Sequence, residues 1–82
     1  MIIEAKFFST DIADKLRSGA YELPECATVS DLMEKAMTEA GLDLPEEKRN
    51  NFVFVLNNSP AYSNTGLVDG GKLRVLYKIA GG

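Results

Sequence analysis

The fold is decided by residues 28–41, which read TVSDLMEKAMTEAG. Apolar residues recur there at spacings of three and four and form one stripe, which comprises Val29, Leu32, Met33, Ala36, Met37 and Ala40. Thr28 can cap the N-terminus, with Asp31 three residues later as an acidic variant of the capping box. Gly41 stands where helices commonly end. The pattern predicts an amphipathic helix whose apolar face needs a partner surface.

Strand-like segments lie on both sides of this helix. They cover residues 2–8, 21–23, 52–56 and 72–79, with a brief edge strand over 61–62 as a fifth. Pro24 stops the second strand, and Asp69-Gly70 predicts a tight turn before the last. The more polar segments 9–20 and 42–51 are interpreted as loops, with one helical turn in the first and another over 46–49.

A two-layer α+β roll follows, because one helix stripe and one sheet face can bury each other. The sheet is mixed and has four to five strands, with the two terminal strands side by side at its centre. The predicted core comprises Ile3, Ala5, Phe7, Leu32, Met33, Ala36, Val53, Val55, Leu67, Leu73 and Val75. Both faces of segment 52–56 are apolar, so the sequence leaves open which face is buried.

Composition indicates one ordinary globular domain. The chain has 82 residues, of which 45% are hydrophobic and 26% charged, and its longest apolar run covers only residues 52–56. No secretion signal is visible, so a cytoplasmic location is expected and no membrane partner. A net charge of −3 without a basic cluster disfavours nucleic acid as a partner.

Catalytic side chains are scarce. The chain has one cysteine and no histidine, which leaves neither a plausible metal site nor a nucleophile–base pair. We therefore expect no enzyme activity of its own and no cofactor bound by this chain; catalytic groups would reside in partner enzymes. Cys26 precedes the helix and is interpreted as a loop residue rather than a sulfur-carrying site.

The chain ends in Gly81-Gly82, directly after the last strand. Glycine has no side chain to pack, but it offers a carboxylate on a slim neck that can enter a narrow active site. We expect residues 1–78 to form the globular domain and residues 79–82 a flexible tail. Residues 78–82 would span about 16 Å when extended.

Several local motifs accompany this ending. They are Phe7-Phe8, Leu23-Pro24-Glu25, residues 27–32, Val55-Leu56-Asn57, residues 67–70 and Gly81-Gly82. Together, in this order, they resemble the ubiquitin-like β-grasp family, specifically its sulfur-carrier branch, and most closely the small subunit of molybdopterin synthase. Tyr77-Lys78 departs from the Pro-Pro of many members, and Gly71 stands where Asp is frequent. The first departure alters the surface that meets partners and weakens the assignment to a pathway.

The resemblance implies a sulfur carrier in molybdenum cofactor biosynthesis. An adenylating, E1-like enzyme would activate the Gly82 carboxylate with ATP and Mg²⁺, and a sulfur donor would convert it into a thiocarboxylate. Gly81 would form the neck of the tail. The large subunit of molybdopterin synthase, or an equivalent acceptor enzyme, would receive the sulfur.

A docking surface is also expected on the sheet face away from the helix. Phe8 and Leu76 are large apolar residues among Glu4, Lys6, Arg74 and Lys78, and the partner-binding set is Phe8, Leu76, Ile79 and Lys78. Phe8 could instead fold beneath the 9–19 loop.

Three functional alternatives remain at this level. They are a thiamine-type sulfur carrier, a ubiquitin-like modifier that joins its tail to lysines, and a β-grasp interaction module with an inert tail.

Overall fold

In the part of the chain that the structure describes, one helix packs on a five-stranded sheet. The computed structural model describes residues 1–8, 15–42 and 52–77. The elements in chain order are β1 (Ile2–Phe7), β2 (Gly19–Glu22), α1 (Val29–Ala40), β3 (Phe52–Leu56), β4 (Ser59–Ala61) and β5 (Lys72–Tyr77). The first part of the 9–20 loop, the turn expected over 46–49 and the tail over 79–82 lie outside the described residues.

The sheet has the strand order β2-β1-β5-β3-β4. β1 and β5 pair in parallel, whereas the β1–β2, β3–β5 and β3–β4 pairs are antiparallel. The sheet is therefore mixed, and the first and last strands are neighbours, with β5 in the middle. The predicted α+β roll is confirmed.

The helix begins and ends where its sequence indicates. Thr28 caps it with extended backbone, and the capping box with Asp31 is complete, since each residue's side chain accepts from the other's backbone N–H. Gly41 adopts the left-handed conformation at φ 66°, and its N–H donates to carbonyls of the last turn. Ala40, the last residue of the predicted stripe, is exposed and borders an open depression lined also by Lys15 and Arg17.

The core lies between the helix stripe and the inner face of the sheet. β1 and β5 alternate as predicted, with every second residue buried. The buried apolar residues are Ile3, Ala5, Phe7, Leu16, Tyr21, Leu23, Ala27, Val29, Leu32, Met33, Ala36, Met37, Phe54, Ala61, Leu67, Leu73 and Val75.

The predicted burial of β3 was wrong. Phe54 is the buried residue, whereas Val53 is 46% exposed and Val55 is only partly buried. The reason is strand pairing: Phe54 lies opposite Val75, which faces the helix, so its two neighbours face outward. The partly buried Phe52 packs against the core on the same side as Phe54.

Two short strands differ from the prediction in their bounds. β2 begins at Gly19 rather than at Tyr21 and ends before Leu23. β4 includes Ser59 and Pro60, whereas the prediction placed the strand over 61–62. The hairpin explains the second difference, because Asn57 and Asn58 both have positive φ (51° and 68°) and form a two-residue turn that starts β4 directly.

The predicted Asp69-Gly70 turn is present and ties the start of β1 to β5. Gly70 has φ 82°, which favours glycine. Ile2 donates its N–H to Oδ1 of Asp69 at 2.7 Å, and Gly70 donates its N–H to the carbonyl of Ile2 at 2.8 Å. Gly71 is packed tightly, since a Cβ there would stand 2.9 Å from the carbonyl oxygen of Val68.

Candidate functional site

The outer face of the sheet, away from the helix, carries a line of exposed apolar side chains. Phe8 is 52% exposed, Leu76 40%, Val53 46% and Tyr62 69%. We call these four residues the apolar row. Its members come from four different parts of the chain, so only strand pairing brings them together.

Strand register explains the row. Phe7 pairs with Val75, so Phe8 and Leu76 are the next neighbours along β1 and β5, and the N–H of Phe8 donates to the carbonyl of Val75 at 3.0 Å. Leu76 pairs directly with Val53.

The same reasoning places Tyr62 at the other end of the row. Phe54 pairs with Ala61, so Tyr62 follows beside Val53. At about 4.8 Å between neighbouring strands, the row crosses four strands over roughly 14 Å.

A charged band lies directly beside the apolar row. Lys6 and Arg74 pair with each other and precede Phe8 and Leu76 by two residues on the same face. The next pair on this face is Glu4 with Lys72. All four are exposed. The outer face therefore offers large apolar groups beside two cations, which is the composition of many protein interfaces.

The row lies at one particular end of the sheet. Because β1 and β5 are parallel, the end of β1 at Phe7 and the end of β5 at Tyr77 are neighbours. The last described residue, Tyr77, therefore lies at the same end of the sheet as the row. Ile2 and Val68, the other exposed large apolar residues among those described, lie at the opposite end near the Asp69 turn.

The structure places some of the predicted site residues and not others. Phe8 and Leu76 are exposed neighbours on the outer face, and their role in binding a partner stays a prediction. Lys78, Ile79 and the Gly81-Gly82 pair lie outside the described residues, so their assignment as site residues stays a prediction.

Two members of the row were missed from sequence. Val53 was assigned to the core, and Tyr62 was interpreted only as part of an edge strand. A signal existed for Val53: in FVFVL the larger phenylalanines share one face, and large aromatic residues bury the most surface.

Cys26 is exposed in the turn before the helix, where it has φ 70°. Within the described segments, no three histidine, cysteine or acidic side chains are grouped closely enough to hold a metal ion. Across the same part of the chain, no helix is sufficiently long and apolar to span a bilayer.

Sequence comparisons give no assignment: no protein-family model and no curated protein matches this chain. Solved structures match its fold. Small archaeal modifier protein 1 from Haloferax volcanii superposes with a TM-score of 0.71 at 20% identity, covering 100% of both chains.

Two further matching structures are of subunits of molybdopterin converting factor. A candidate molybdopterin converting factor subunit 1 from Pyrococcus furiosus gives a TM-score of 0.73 at 18% identity, over 96% of this chain and 99% of that one. A complex of subunits 1 and 2 of molybdopterin-converting factor from Helicobacter pylori gives 0.57 at 22% identity, over 100% of both chains.

These likenesses show the fold. The chain shares the α+β β-grasp fold of these proteins, as the sequence resemblance predicted. At 18–22% identity they do not carry activity across.

Proposed function

We propose that this chain is a sulfur carrier for molybdopterin biosynthesis and that the carboxylate of Gly82 is its reacting group. The fold likeness to a molybdopterin converting factor subunit supports the class of protein. The position of the apolar row carries the proposal, because this exposed apolar surface lies at the end of β5, from which the sequence continues to Gly81-Gly82. A partner seated on the row would stand beside the entry of the tail into its own active site.

The chemistry needs activation because a carboxylate is a poor acyl electrophile. The carboxylate oxygen of Gly82 attacks the α-phosphate of ATP, which forms an acyl-adenylate and releases pyrophosphate. Hydrosulfide from the sulfur donor then attacks the acyl carbon and displaces AMP, and loss of the remaining S–H proton leaves a thiocarboxylate. ATP, Mg²⁺ and the catalytic side chains belong to the adenylating partner, and this chain supplies the acyl group and the surface that positions it.

Two partners in turn would use the same end of the sheet. The adenylating enzyme needs the tail in its ATP site, and the acceptor enzyme needs the thiocarboxylate near its substrate. The Helicobacter pylori structure is a complex of subunits 1 and 2, which supports an acceptor of the large-subunit kind. Lys6 and Arg74 beside the row favour carboxylates on the partner's surface.

Intact-mass spectrometry tests the tail chemistry. The protein is incubated with its adenylating enzyme, ATP, Mg²⁺ and a sulfur donor, and its mass should rise by the difference between sulfur and oxygen. Deletion of Gly82 should abolish the change while the far-UV circular dichroism spectrum stays that of the parent. An unchanged mass of the parent protein, in a reaction where the adenylating enzyme is active, would refute the proposal.

Alanine variants of the row test the docking surface separately. Leu76→Ala and Val53→Ala should each weaken binding to the adenylating enzyme about tenfold, because each removes a central apolar contact. Val68→Ala is the matched control, since Val68 is equally apolar and 67% exposed but lies at the opposite end of the sheet. Equal effects of all three variants on the dissociation constant would exclude the row as the docking surface.

A ubiquitin-like modifier is the second candidate. The likeness to small archaeal modifier protein 1 favours it. Activation would be the same, but the acyl group would pass to a lysine amine and form an isopeptide bond. Tryptic mass spectrometry of cell extracts distinguishes the two functions, because Gly82 linked to lysine side chains supports the modifier, whereas a free thiocarboxylate supports the carrier.

A further inference from the structure

β2 is an edge strand of the described sheet, and two of its residues point their backbone groups away from the sheet. Leu23 and Met1 exchange hydrogen bonds, with the N-terminal ammonium donating to the carbonyl of Leu23 at 2.7 Å and the N–H of Leu23 donating to Met1 at 2.8 Å. Along a strand, the backbone N–H and C=O groups of successive residues point alternately to the two sides, so those of Tyr21 also point towards β1. The N–H and C=O groups of Ala20 and Glu22 therefore point away from the sheet.

Arg17 occupies the first outward carbonyl. Its Nη2 atom donates to the carbonyl of Ala20 at 2.9 Å. The guanidinium is held in place, because it lies over the ring of Tyr21 at 4.3 Å from the centroid and its Nη2 stands 3.8 Å from Oε1 of Glu39 on the helix. The Tyr21 hydroxyl also donates to the carbonyl of Arg17, which fixes the backbone of that residue.

Lys35 occupies the second outward carbonyl. It extends from the exposed side of α1, and its Nζ donates to the carbonyl of Glu22 at 2.6 Å. The two cations come from different elements, a loop and a helix, and end on successive outward carbonyls of one strand.

The opposite edge of the sheet is protected differently. In β4 the outward position between the paired residues Ser59 and Ala61 is Pro60, which has no N–H to donate. Among the described strands, one edge therefore lacks a donor and the other has its acceptors occupied. Exposed edges of this kind otherwise invite pairing with another chain.

We propose that Arg17 and Lys35 hold β2 closed as a strand-pairing edge, and that the partner this edge fits once they are removed is β2 of a second copy of the chain. The edge is complementary to itself. In a two-fold antiparallel arrangement Ala20 of one copy pairs with Glu22 of the other, and the reciprocal pair forms at the same time. Each pair can exchange N–H···O=C bonds in both directions, but only when both cations leave the carbonyls. The small exposed side chain of Ala20 gives room for Glu22 opposite it.

The double variant Arg17→Ala/Lys35→Ala tests the proposal by sedimentation velocity over a range of protein concentrations. Freeing the carbonyls should lower the dissociation constant of a dimer at least about tenfold relative to the parent. The amide protons of Ala20 and Glu22 should then become protected from hydrogen exchange as the concentration rises. A variant that stays as monomeric as the parent would overturn the proposal, and so would a dimer in which these two amides still exchange freely.

A control removes the same charge elsewhere. Lys6→Ala/Lys72→Ala also makes the protein more negative by two charges, but both positions lie on the outer face rather than on the edge. If this control associates as strongly as the test variant, the change in net charge causes the association and the proposal for the β2 edge is refuted.

Folding is checked independently. Lys35→Ala alone retains Arg17 and its contact with Tyr21, so it keeps the loop anchored and opens only the carbonyl of Glu22. It should associate to an intermediate extent. If Lys35→Ala does not associate at all, whereas Arg17→Ala associates fully and has a disturbed circular dichroism spectrum, the association results from misfolding and the proposal is refuted.

Discussion

The register of β3 decides both the core and the apolar row, and two neighbouring alanine variants test it. Phe54 is 9% exposed and packs with Phe52 at a ring-centroid distance of 6.1 Å, whereas Val53 is 46% exposed on the opposite face. Phe54→Ala should therefore destabilise the fold severely, and Val53→Ala only mildly.

The magnitudes follow from burial. A buried Phe→Ala substitution costs about 3–5 kcal/mol, and loss of the ring pair lies within that figure. Val53→Ala removes methyl groups that are about half exposed, which amounts to about 1 kcal/mol. A chain of this size has a total stability of only about 4–12 kcal/mol, so the difference between the two variants is a large fraction of the whole.

Equilibrium urea unfolding followed by circular dichroism measures both costs. With a slope of about 1 kcal/mol per molar urea for so small a domain, Phe54→Ala should lower the midpoint by about 3–5 M and Val53→Ala by about 1 M. If Phe54→Ala shows no folded baseline, the parent and both variants are compared in sucrose, which strengthens burial in all of them.

The result that refutes the reasoning is an inverted order. A cost for Val53→Ala equal to or larger than that for Phe54→Ala would mean that β3 is shifted by one residue against β5, since such a slip exchanges its two faces. Val53 would then leave the apolar row, and the proposed docking surface would lose its centre.

Three further predictions concern the cap, the turn and one phenol. Thr28→Ala should lower the free energy of unfolding by about 1 kcal/mol in urea, because it removes the side chain of the capping box, whereas Thr28→Ser should retain most of that stability. Gly71→Ala should cost about 1–3 kcal/mol because the new Cβ would stand 2.9 Å from the carbonyl oxygen of Val68, whereas Gly66→Ala, with nothing within 4 Å, should change the melting temperature little. Burial raises the pKa of Tyr21 above its usual 10.0, against the lowering effect of nearby Arg17, so the unfolded chain releases this proton first; stability should be intact below pH 10 and fall as pH rises through the folded pKa. Alkaline unfolding series of the parent and Tyr21→Phe check this, and an identical pH dependence in the two would contradict it.

The elements predicted best are those whose evidence is local. The α1 helix begins and ends at the predicted caps because Thr28, Asp31 and Gly41 act within a few residues of the bonds they satisfy. β1 and β5 have one apolar and one polar face, so alternation alone identifies what is buried. The Asp69-Gly70 turn is local in the same sense.

The errors occurred where local sequence offers two equivalent choices. Both faces of segment 52–56 are apolar, and the choice between Phe54 and Val53 depends on pairing with Val75, a partner distant in the chain. Ala40 continues the helix stripe in phase, but whether it is buried depends on what lies opposite the last turn.

The sequence by itself determined the helix, the alternation of the terminal strands and the candidate Gly81-Gly82 ending, because each depends on short-range spacing. The β-grasp expectation came from the resemblance of its ordered motifs to that family. Only the tertiary structure decided that Phe8, Leu76, Val53 and Tyr62 form one row and that two cations close the edge of β2. The row joins residues through strand pairing across the sheet, and the edge joins β2 to side chains of a loop and a helix. Neither kind of contact leaves a periodic trace in the sequence.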